Sequence, residues 1–195
     1  MRVFTASSAL FCLLISFPLQ AAESRYTSIE NKDCRFDPIG KEPGDAEDQL
    51  KRCPGLGGAR VLVNPSHARL RIGFTWPPQR NAEAVSWVVE AWSAGQKIEW
   101  RGIRTPKGFE PYAATVRMLY PKEDRNEAGQ QVLAVIRIRR GAACLMGAVD
   151  IRANKDAYEL ARNLADAAPS FACHKGKPRI LGVETEWARN LVGSD

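Results

Sequence analysis

The chain has 195 residues, of which 26% are charged and 45% are hydrophobic, and its formal net charge at pH 7 is +6. This length suits one ordinary domain with a substantial core. Acidic and basic residues are mixed along the sequence, so the positive charge indicates tolerance for acidic partners rather than a nucleic-acid-binding arm.

Residues 1–22 have the pattern of a secretory signal peptide. Arg2 provides a minimal positive start, and Ala9–Phe17 is an apolar run too short to anchor the chain in a bilayer. Small residues place the cleavage site between positions 21 and 24. We therefore expect residues 23–195 to be a single domain, periplasmic or secreted, with no membrane span after signal cleavage.

Four cysteines follow the predicted signal peptide: Cys34, Cys53, Cys144 and Cys173. An even number in an exported chain indicates disulfides. Three pairings are possible, and we favour Cys34–Cys53 with Cys144–Cys173 because each bond closes one local loop. A metal site would need reduced thiolates at a ligand spacing that the sequence lacks, so neither a metal nor a cofactor is predicted.

The first part of the domain predicts strands and a long loop. Arg25–Glu30 alternates weakly and is read as an edge strand. Asp33–Cys53 is rich in proline, glycine and acidic residues and is read as a solvated loop, with a short helical turn near Ala46–Lys51. Ala59–Val63 and Ala68–Thr75 are predicted to form two antiparallel strands.

The stretch Ala82–Ala94 fits a helix, because four apolar residues have helical spacing and Gly95 follows as a stop signal. The four residues are Val85, Val88, Val89 and Trp92. The shorter stretch Ser86–Trp92 also alternates as a strand does, and this alternative stays open.

Four further strands are predicted: Lys97–Ile103, Pro111–Tyr120, Gln131–Arg139 and Ala143–Ile151. In the first of them Ile98 and Trp100 share one face, whereas Lys97, Glu99 and Arg101 share the other. A tight turn at residues 140–142 joins the last two strands.

The most regular helical pattern covers residues 154–168, where five apolar residues share one face. They are Ala157, Leu160, Ala161, Leu164 and Ala168. Asn154 is the predicted N-cap, and Pro169 ends the helix. A short edge strand at Arg179–Val183 and a last helical turn or two at Thr185–Val192 follow. We predict an α+β fold, in which helix 154–168 packs on one face of an antiparallel sheet of about five to seven strands.

Charged residues recur at positions that alternate with apolar ones in the predicted strands. They are Arg69, Arg71, Glu99, Arg101, Arg117, Arg137 and Arg139. If the strands are neighbours, arginines would line one side of the sheet, where guanidinium groups bind carboxylates and phosphates bidentately. We predict Arg69, Arg71, Arg101, Arg137 and Arg139 as binding residues. A solvated face with cross-strand charge pairs is the commoner explanation of such a pattern.

Trp76 stands beside Pro77 and Pro78 at the start of a predicted loop. We expect its indole to be the most exposed of the five tryptophans and therefore predict it as a contact residue.

No catalytic residue is predicted. The only histidines are His67 and His174, and neither lies in a triad or zinc motif. A pair of carboxylates for glycoside hydrolysis need not be adjacent in sequence, so that possibility stays open.

A resemblance rests on Tyr26-Thr27, Cys34, Cys53-Pro54-Gly55, Ile98-Glu99-Trp100-Arg101, Cys144 and Asp150–Arg162. Together these residues resemble a group of small exported proteins of Gram-negative bacteria for which no function is established. The resemblance spans most of the predicted mature chain, and its motifs are structural in kind. It therefore implies no catalytic residue.

Three functional hypotheses follow. The leading one is a non-enzymatic periplasmic or secreted domain that binds a protein or an anionic component of the cell envelope. The second is an inhibitor of an extracytoplasmic hydrolase, such as a lysozyme. The third is an enzyme with an unrecognised site.

Overall fold

The computed structural model describes residues 21–38, 49–66, 69–77, 85–121 and 129–193. Eleven strands are present in these ranges: β1 Glu23–Ser28, β2 Arg35–Pro38, β3 Gln49–Pro54, β4 Arg60–Ser66, β5 Arg69–Thr75, β6 Ser86–Ala91, β7 Ser93–Thr105, β8 Gly108–Tyr120, β9 Gln130–Arg139, β10 Ala142–Asp150 and β11 Arg179–Ile180. The two α-helices are α1 Ala157–Asp166 and α2 Glu186–Val192, and two short 3-10 turns cover Asn31–Asp33 and Ala168–Ser170. The predicted signal peptide lies almost entirely outside the described residues.

The strands form two sheets. The larger has six strands in the order β1-β7-β8-β9-β10-β11, and the smaller has five in the order β2-β3-β4-β5-β6. All neighbouring strands are antiparallel except β10 and β11, which are parallel. The predicted α+β fold is confirmed, but its strands are divided between two sheets, a division that the sequence pattern did not indicate.

The main core lies between the two sheets. Val61 and Ile72 of the smaller sheet belong to the same buried cluster as Val116 and Ile136 of the larger one. The rings of Phe74 and Trp100, one from each sheet, meet edge to face with centroids 5.8 Å apart. The Trp100 indole N–H donates to Thr27 Oγ1 at 2.8 Å, so the buried ring keeps its polar atom satisfied.

A second core lies on the other face of the six-stranded sheet, where α1 packs. Its helix residues are mostly alanines, and Leu164 is the large exception. Because alanine side chains are small, the helix lies close against Leu133, Val135 and Met146 of the sheet. The predicted helix-on-sheet packing is confirmed.

The predicted start of this helix is wrong, because the structure begins it at Ala157 rather than at Asn154. The Asn154 side chain serves another purpose: Nδ2 donates to Asp150 O, and Oδ1 accepts from Val183 N, both at 2.8 Å. This side chain therefore joins the end of β10 to the segment after β11 and is not available to cap the helix.

The predicted helix over residues 82–94 is wrong for the part that the structure describes. Ser86–Ala91 is strand β6, and Ser93 begins β7. The pattern of valines fits both the period of an α-helix and that of a β-strand. Pairing of β6 with β5 along Phe74 to Leu70 fixes the extended form. The alternative of a strand over Ser86–Trp92 is the correct one.

The predicted loop Asp33–Cys53 contains structure instead. Strands β2 and β3 pair within it, from Arg35 opposite Arg52 to Pro38 opposite Gln49. The predicted helical turn near Ala46–Lys51 lies partly outside the described residues, and Gln49–Lys51 belongs to β3. The other strand predictions and the final helix are confirmed to within a few residues.

Both predicted disulfides are confirmed. Cys34–Cys53 joins the start of β2 to β3, and Cys144–Cys173 joins β10 to the segment after α1. Two such bonds indicate an oxidising, extracytoplasmic environment. Among the described residues, no helix is long and apolar enough to cross a membrane.

Candidate functional site

A polar network joins α1 to the outer face of the six-stranded sheet, and Glu99 of β7 is its centre. Glu99 is only 8% exposed. Its Oε1 accepts from Ser24 Oγ and from Arg162 Nε, both at 2.6 Å, and its Oε2 accepts from Arg162 Nη2 at 3.3 Å. Arg162 Nη2 also donates to the Tyr26 hydroxyl at 3.3 Å. The Glu99 carboxylate raises the pKa of Arg162 above its usual value, and the pair leaves no unbalanced charge.

A second ion pair extends the network along the helix. Arg101 donates to both carboxylate oxygens of Asp166, from Nε at 2.7 Å and from Nη2 at 2.8 Å. The Tyr112 hydroxyl donates to the same carboxylate at 2.7 Å. The hydrogen bonds from Arg101 and then Tyr112 lower the pKa of Asp166, whereas burial and then Asp166 raise the pKa of Tyr112. These bonds fix α1 on the sheet, which is a structural role.

Beside this network a groove of about 370 Å³ opens on the same face, and we name it the α1 groove. It is lined by Tyr26, Gly95, Gln96, Lys97, Glu99, Thr115, Arg117, Leu133 and Tyr158. Tyr26 and Tyr158 are 55% and 44% exposed. Lys97 and Arg117 are exposed and form no ion pair with a carboxylate among the residues that the structure describes. The groove therefore combines two uncompensated cations with two accessible aromatic rings.

A β-bulge forms one wall of the α1 groove. Ala94 faces Met118 and Ile98 faces Val116, so residues 95–97 of β7 lie opposite Arg117 alone. The extra residues bend the strand and change where its side chains point. The bulge is also held from its other side, because Ile29 N donates to Gln96 O at 2.8 Å. Lys97 and Arg117 both line the groove beside this bulge.

The structure divides the predicted arginine face between two surfaces. Arg101, Arg137 and Arg139 occupy alternating outward positions in the six-stranded sheet. Arg101 is held by Asp166, and Arg137 Nε donates to Ala168 O at 3.0 Å while its Nη1 lies 3.7 Å from Cys173 Sγ. These two residues fix α1 and the segment that follows it. Arg139 is exposed at the end of β9, away from the α1 groove lining.

The other two predicted arginines lie on the smaller sheet. Arg69 and Arg71 of β5 both approach Glu90 of β6, with N–O distances of 3.8 and 3.5 Å. Arg71 also lies over the Trp87 ring, 5.5 Å from its centroid. The structure therefore does not bring the five predicted arginines together.

The predicted exposure of Trp76 is wrong. Its side chain is only 5% exposed and belongs to the core between the sheets. It directly follows β5, whose inward residues Ile72 and Phe74 share that core, so the alternation carries the indole inward. The strongly exposed tryptophan is Trp92, at 54%.

None of the six residues that the sequence predicts as binding residues lines the α1 groove. Alternation places Lys97 and Arg117 on charged strand faces, but it does not show that the two side chains line one groove. Tyr26 of β1 and Tyr158 of α1 are 132 positions apart in the chain, so only the folded structure joins them.

The described part of the chain contains no group of three or more histidine, cysteine, aspartate or glutamate residues that could hold a metal ion. His174 lies in the exposed segment after α1, and His67 lies outside the described residues. The chain matches no protein-family model, no curated protein and no solved structure. Function must therefore be argued from the geometry of the groove.

Proposed function

We propose that this protein is a non-enzymatic periplasmic or secreted domain that binds an anionic component of the cell envelope in the α1 groove. The observation that carries the proposal is the pair Lys97 and Arg117, two cations in one groove without a carboxylate partner in the described part of the chain. Like charges brought close together are unfavourable in the free protein, and a bound anion relieves that cost.

The chemistry of the groove favours an anion that carries a ring. A guanidinium presents two parallel N–H donors to a carboxylate or phosphate, and a lysine ammonium adds a compact second charge. The exposed tyrosine rings supply flat apolar surfaces with a polar edge. A volume of about 370 Å³ lies within the range of small-molecule sites.

Glu99 does not oppose this proposal, although it lines the same groove. Both of its carboxylate oxygens accept hydrogen bonds from Arg162. The charge that remains for a ligand is therefore that of Lys97 and Arg117.

The compartment supports an envelope ligand. The two disulfides fit an oxidising environment, and the predicted signal peptide would deliver the domain across the inner membrane. A periplasmic protein meets phosphorylated and carboxylated envelope components at high local concentration.

Equilibrium dialysis tests the proposal. The oxidised mature protein is dialysed at low salt against a small-molecule extract of Gram-negative envelopes, and retained compounds are identified by mass spectrometry. Three proteins are compared: the native chain, the groove variant K97S/R117S, and the control R69S/R71S, which removes two arginines from the other sheet.

The expected result is an anionic compound that the native protein and the control retain and the groove variant loses. Retention of the same compounds by all three proteins, or retention of none by the native protein, would overturn the proposal. We expect each variant to fold, because both pairs of side chains are exposed. Circular dichroism checks this.

A further inference from the structure

A second groove, of about 810 Å³, lies at the end of the sandwich where the chain passes from one sheet to the other. Trp92 is the single residue between β6 of the smaller sheet and β7 of the larger one. The lining residues are Arg69, Glu90, Trp92, Tyr120, Pro121, Trp187, Arg189, Asn190 and Gly193. We name this the Trp92 groove. It shares no lining residue with the α1 groove.

Three aromatic side chains shape this groove. The Trp92 indole is 54% exposed, although a tryptophan side chain is largely buried in most folded proteins. The rings of Tyr120 and Trp187 meet at an angle of 41° with centroids 5.2 Å apart. Burial raises the pKa of Tyr120 to about 12. The groove therefore offers an accessible indole face beside a fixed pair of rings.

Hydrogen bonds and core packing hold in place the helix α2, which carries Trp187. Thr185 caps α2, because its Oγ1 accepts from Ala188 N at 3.3 Å, and the same hydroxyl donates to Asp150 Oδ2 at 2.7 Å. Trp187 packs against the main core from the first turn of this helix. The groove is thus formed before any ligand arrives, which lowers the entropy that binding would cost.

In the described part of the chain, each charged residue of the Trp92 groove has an oppositely charged partner, unlike Lys97 and Arg117 of the α1 groove, although Arg69 shares Glu90 with Arg71. Arg69 lies 3.8 Å from Glu90, and Arg189 lies 3.2 Å from Glu184. An anion would have to compete with these carboxylates. An apolar helix or strand would cover Arg69, Glu90 and Asn190 without giving them hydrogen-bond partners, which is unfavourable.

We infer that the Trp92 groove binds a ring of a neutral saccharide. A sugar ring has one apolar C–H face, which would stack on the Trp92 indole, and a polar edge of hydroxyl groups. Those hydroxyls both donate and accept, so they satisfy Glu90, Asn190 and the two arginines without disturbing the ion pairs. The groove thus offers an aromatic face for the apolar side of a sugar ring and planar polar side chains for its hydroxyl groups.

Isothermal titration calorimetry tests this assignment with three neutral probes: chitotetraose, cellotetraose and maltotetraose. The proteins are the native chain, W92A, N190A and the control F36A, which removes another exposed aromatic ring, 44% exposed, on β2. We expect at least one probe to bind the native protein and F36A. We expect W92A to bind it about tenfold more weakly or worse, and N190A to bind it more weakly than the control does.

Two results would overturn the inference: no heat of binding from any of the three probes at millimolar concentration, or equal affinity in W92A and the native protein. The variant K97S/R117S should bind the neutral probe as well as the native chain does. Failure of the saccharide proposal for the Trp92 groove can therefore be distinguished from failure of the anion proposal for the α1 groove.

Discussion

The guanidinium group of Arg117 lies against Gly95 at the bulge in β7. A Cβ atom at position 95 would be 2.9 Å from Nε of that arginine and 3.3 Å from both its Cβ and its Nη2. The missing side chain of Gly95 therefore leaves the space in which Arg117 lies along the groove wall. The bulge and the glycine together give the α1 groove one of its two cations.

Replacing Gly95 with alanine should displace the Arg117 guanidinium without unfolding the protein, because the closest contact, at 2.9 Å, is with the movable Nε. The contact with Arg117 Cβ, at 3.3 Å, requires a shift of only a few tenths of an ångström. We expect anion affinity to fall about fivefold or more, while the free energy of unfolding changes by less than about 1 kcal/mol. Calorimetry and urea unfolding measure the two effects. In the double variant G95A/R117A the losses of affinity should not add, because both changes act on the same guanidinium. Additive losses would contradict this mechanism.

Glu99 is the central acceptor between the sheet and α1, and its replacement by glutamine should destabilise the fold. The change removes the charge that Arg162 and Ser24 both contact. We expect a loss of about 1–3 kcal/mol in the free energy of unfolding in urea. The matched control is E110Q, since Glu110 is exposed on the adjacent strand and should give a change near zero. Equal effects of the two substitutions would refute the central role of Glu99.

The Arg101–Asp166 ion pair should make the free energy of unfolding depend on pH. The pKa of Asp166 is lower in the folded protein than in the unfolded chain, chiefly because of Arg101. The contribution of this ion pair to the free energy of unfolding is therefore complete above the pKa of Asp166 in the unfolded chain, about 4. It is lost as the pH falls through the lower pKa of the folded protein. Because the Asp166 side chain is 37% exposed, we expect at most about 1 kcal/mol.

Thermal unfolding of native protein and D166N between pH 7 and pH 2 measures this effect. The two melting temperatures should differ at neutral pH and converge in acid. A difference of the same size at pH 7 and at pH 2 would mean that the carboxylate charge is not the cause.

The Cys144–Cys173 bond connects β10 to the segment after α1, near the contact of Arg137 with Cys173. Its partners are 29 positions apart, and chain-entropy reasoning gives about 3–4 kcal/mol for a loop of that length. We expect C144S/C173S to lower the free energy of unfolding by this amount. The Cys34–Cys53 bond closes a shorter loop of 19 positions, so the variant C34S/C53S should lower the free energy of unfolding slightly less. A urea midpoint unchanged by either pair of substitutions would contradict the expectation.

Local signals predicted much of this fold. The spacing from Ala157 to Leu164 identified α1, alternation identified β7 to β10, and cysteine position gave both disulfides. Each of these features depends on residues near one another in sequence, or on a few possible pairings.

The remaining features depend on contacts between distant residues. The valines of β6 fit a helix and a strand equally, and only pairing with β5 decides between them. The division of the strands into two sheets separates Arg69 from Arg101, although both follow the same alternation. The α1 groove needs a bulge, and Tyr158 reaches it from a helix that the sequence described only as structural. No local sequence pattern predicts that these distant side chains line one groove.

The most direct test of the α1 groove is a residue-resolved NMR titration of the oxidised mature protein with glucose 1-phosphate and galacturonate, one phosphate and one carboxylate on a sugar ring. We expect at least one probe to shift the amide signals of Gly95, Lys97 and Arg117, and we expect these shifts to disappear in K97S/R117S. Shifts confined to β5, the strand that carries Arg69 and Arg71, or no shifts from either probe, would contradict the proposed anion site.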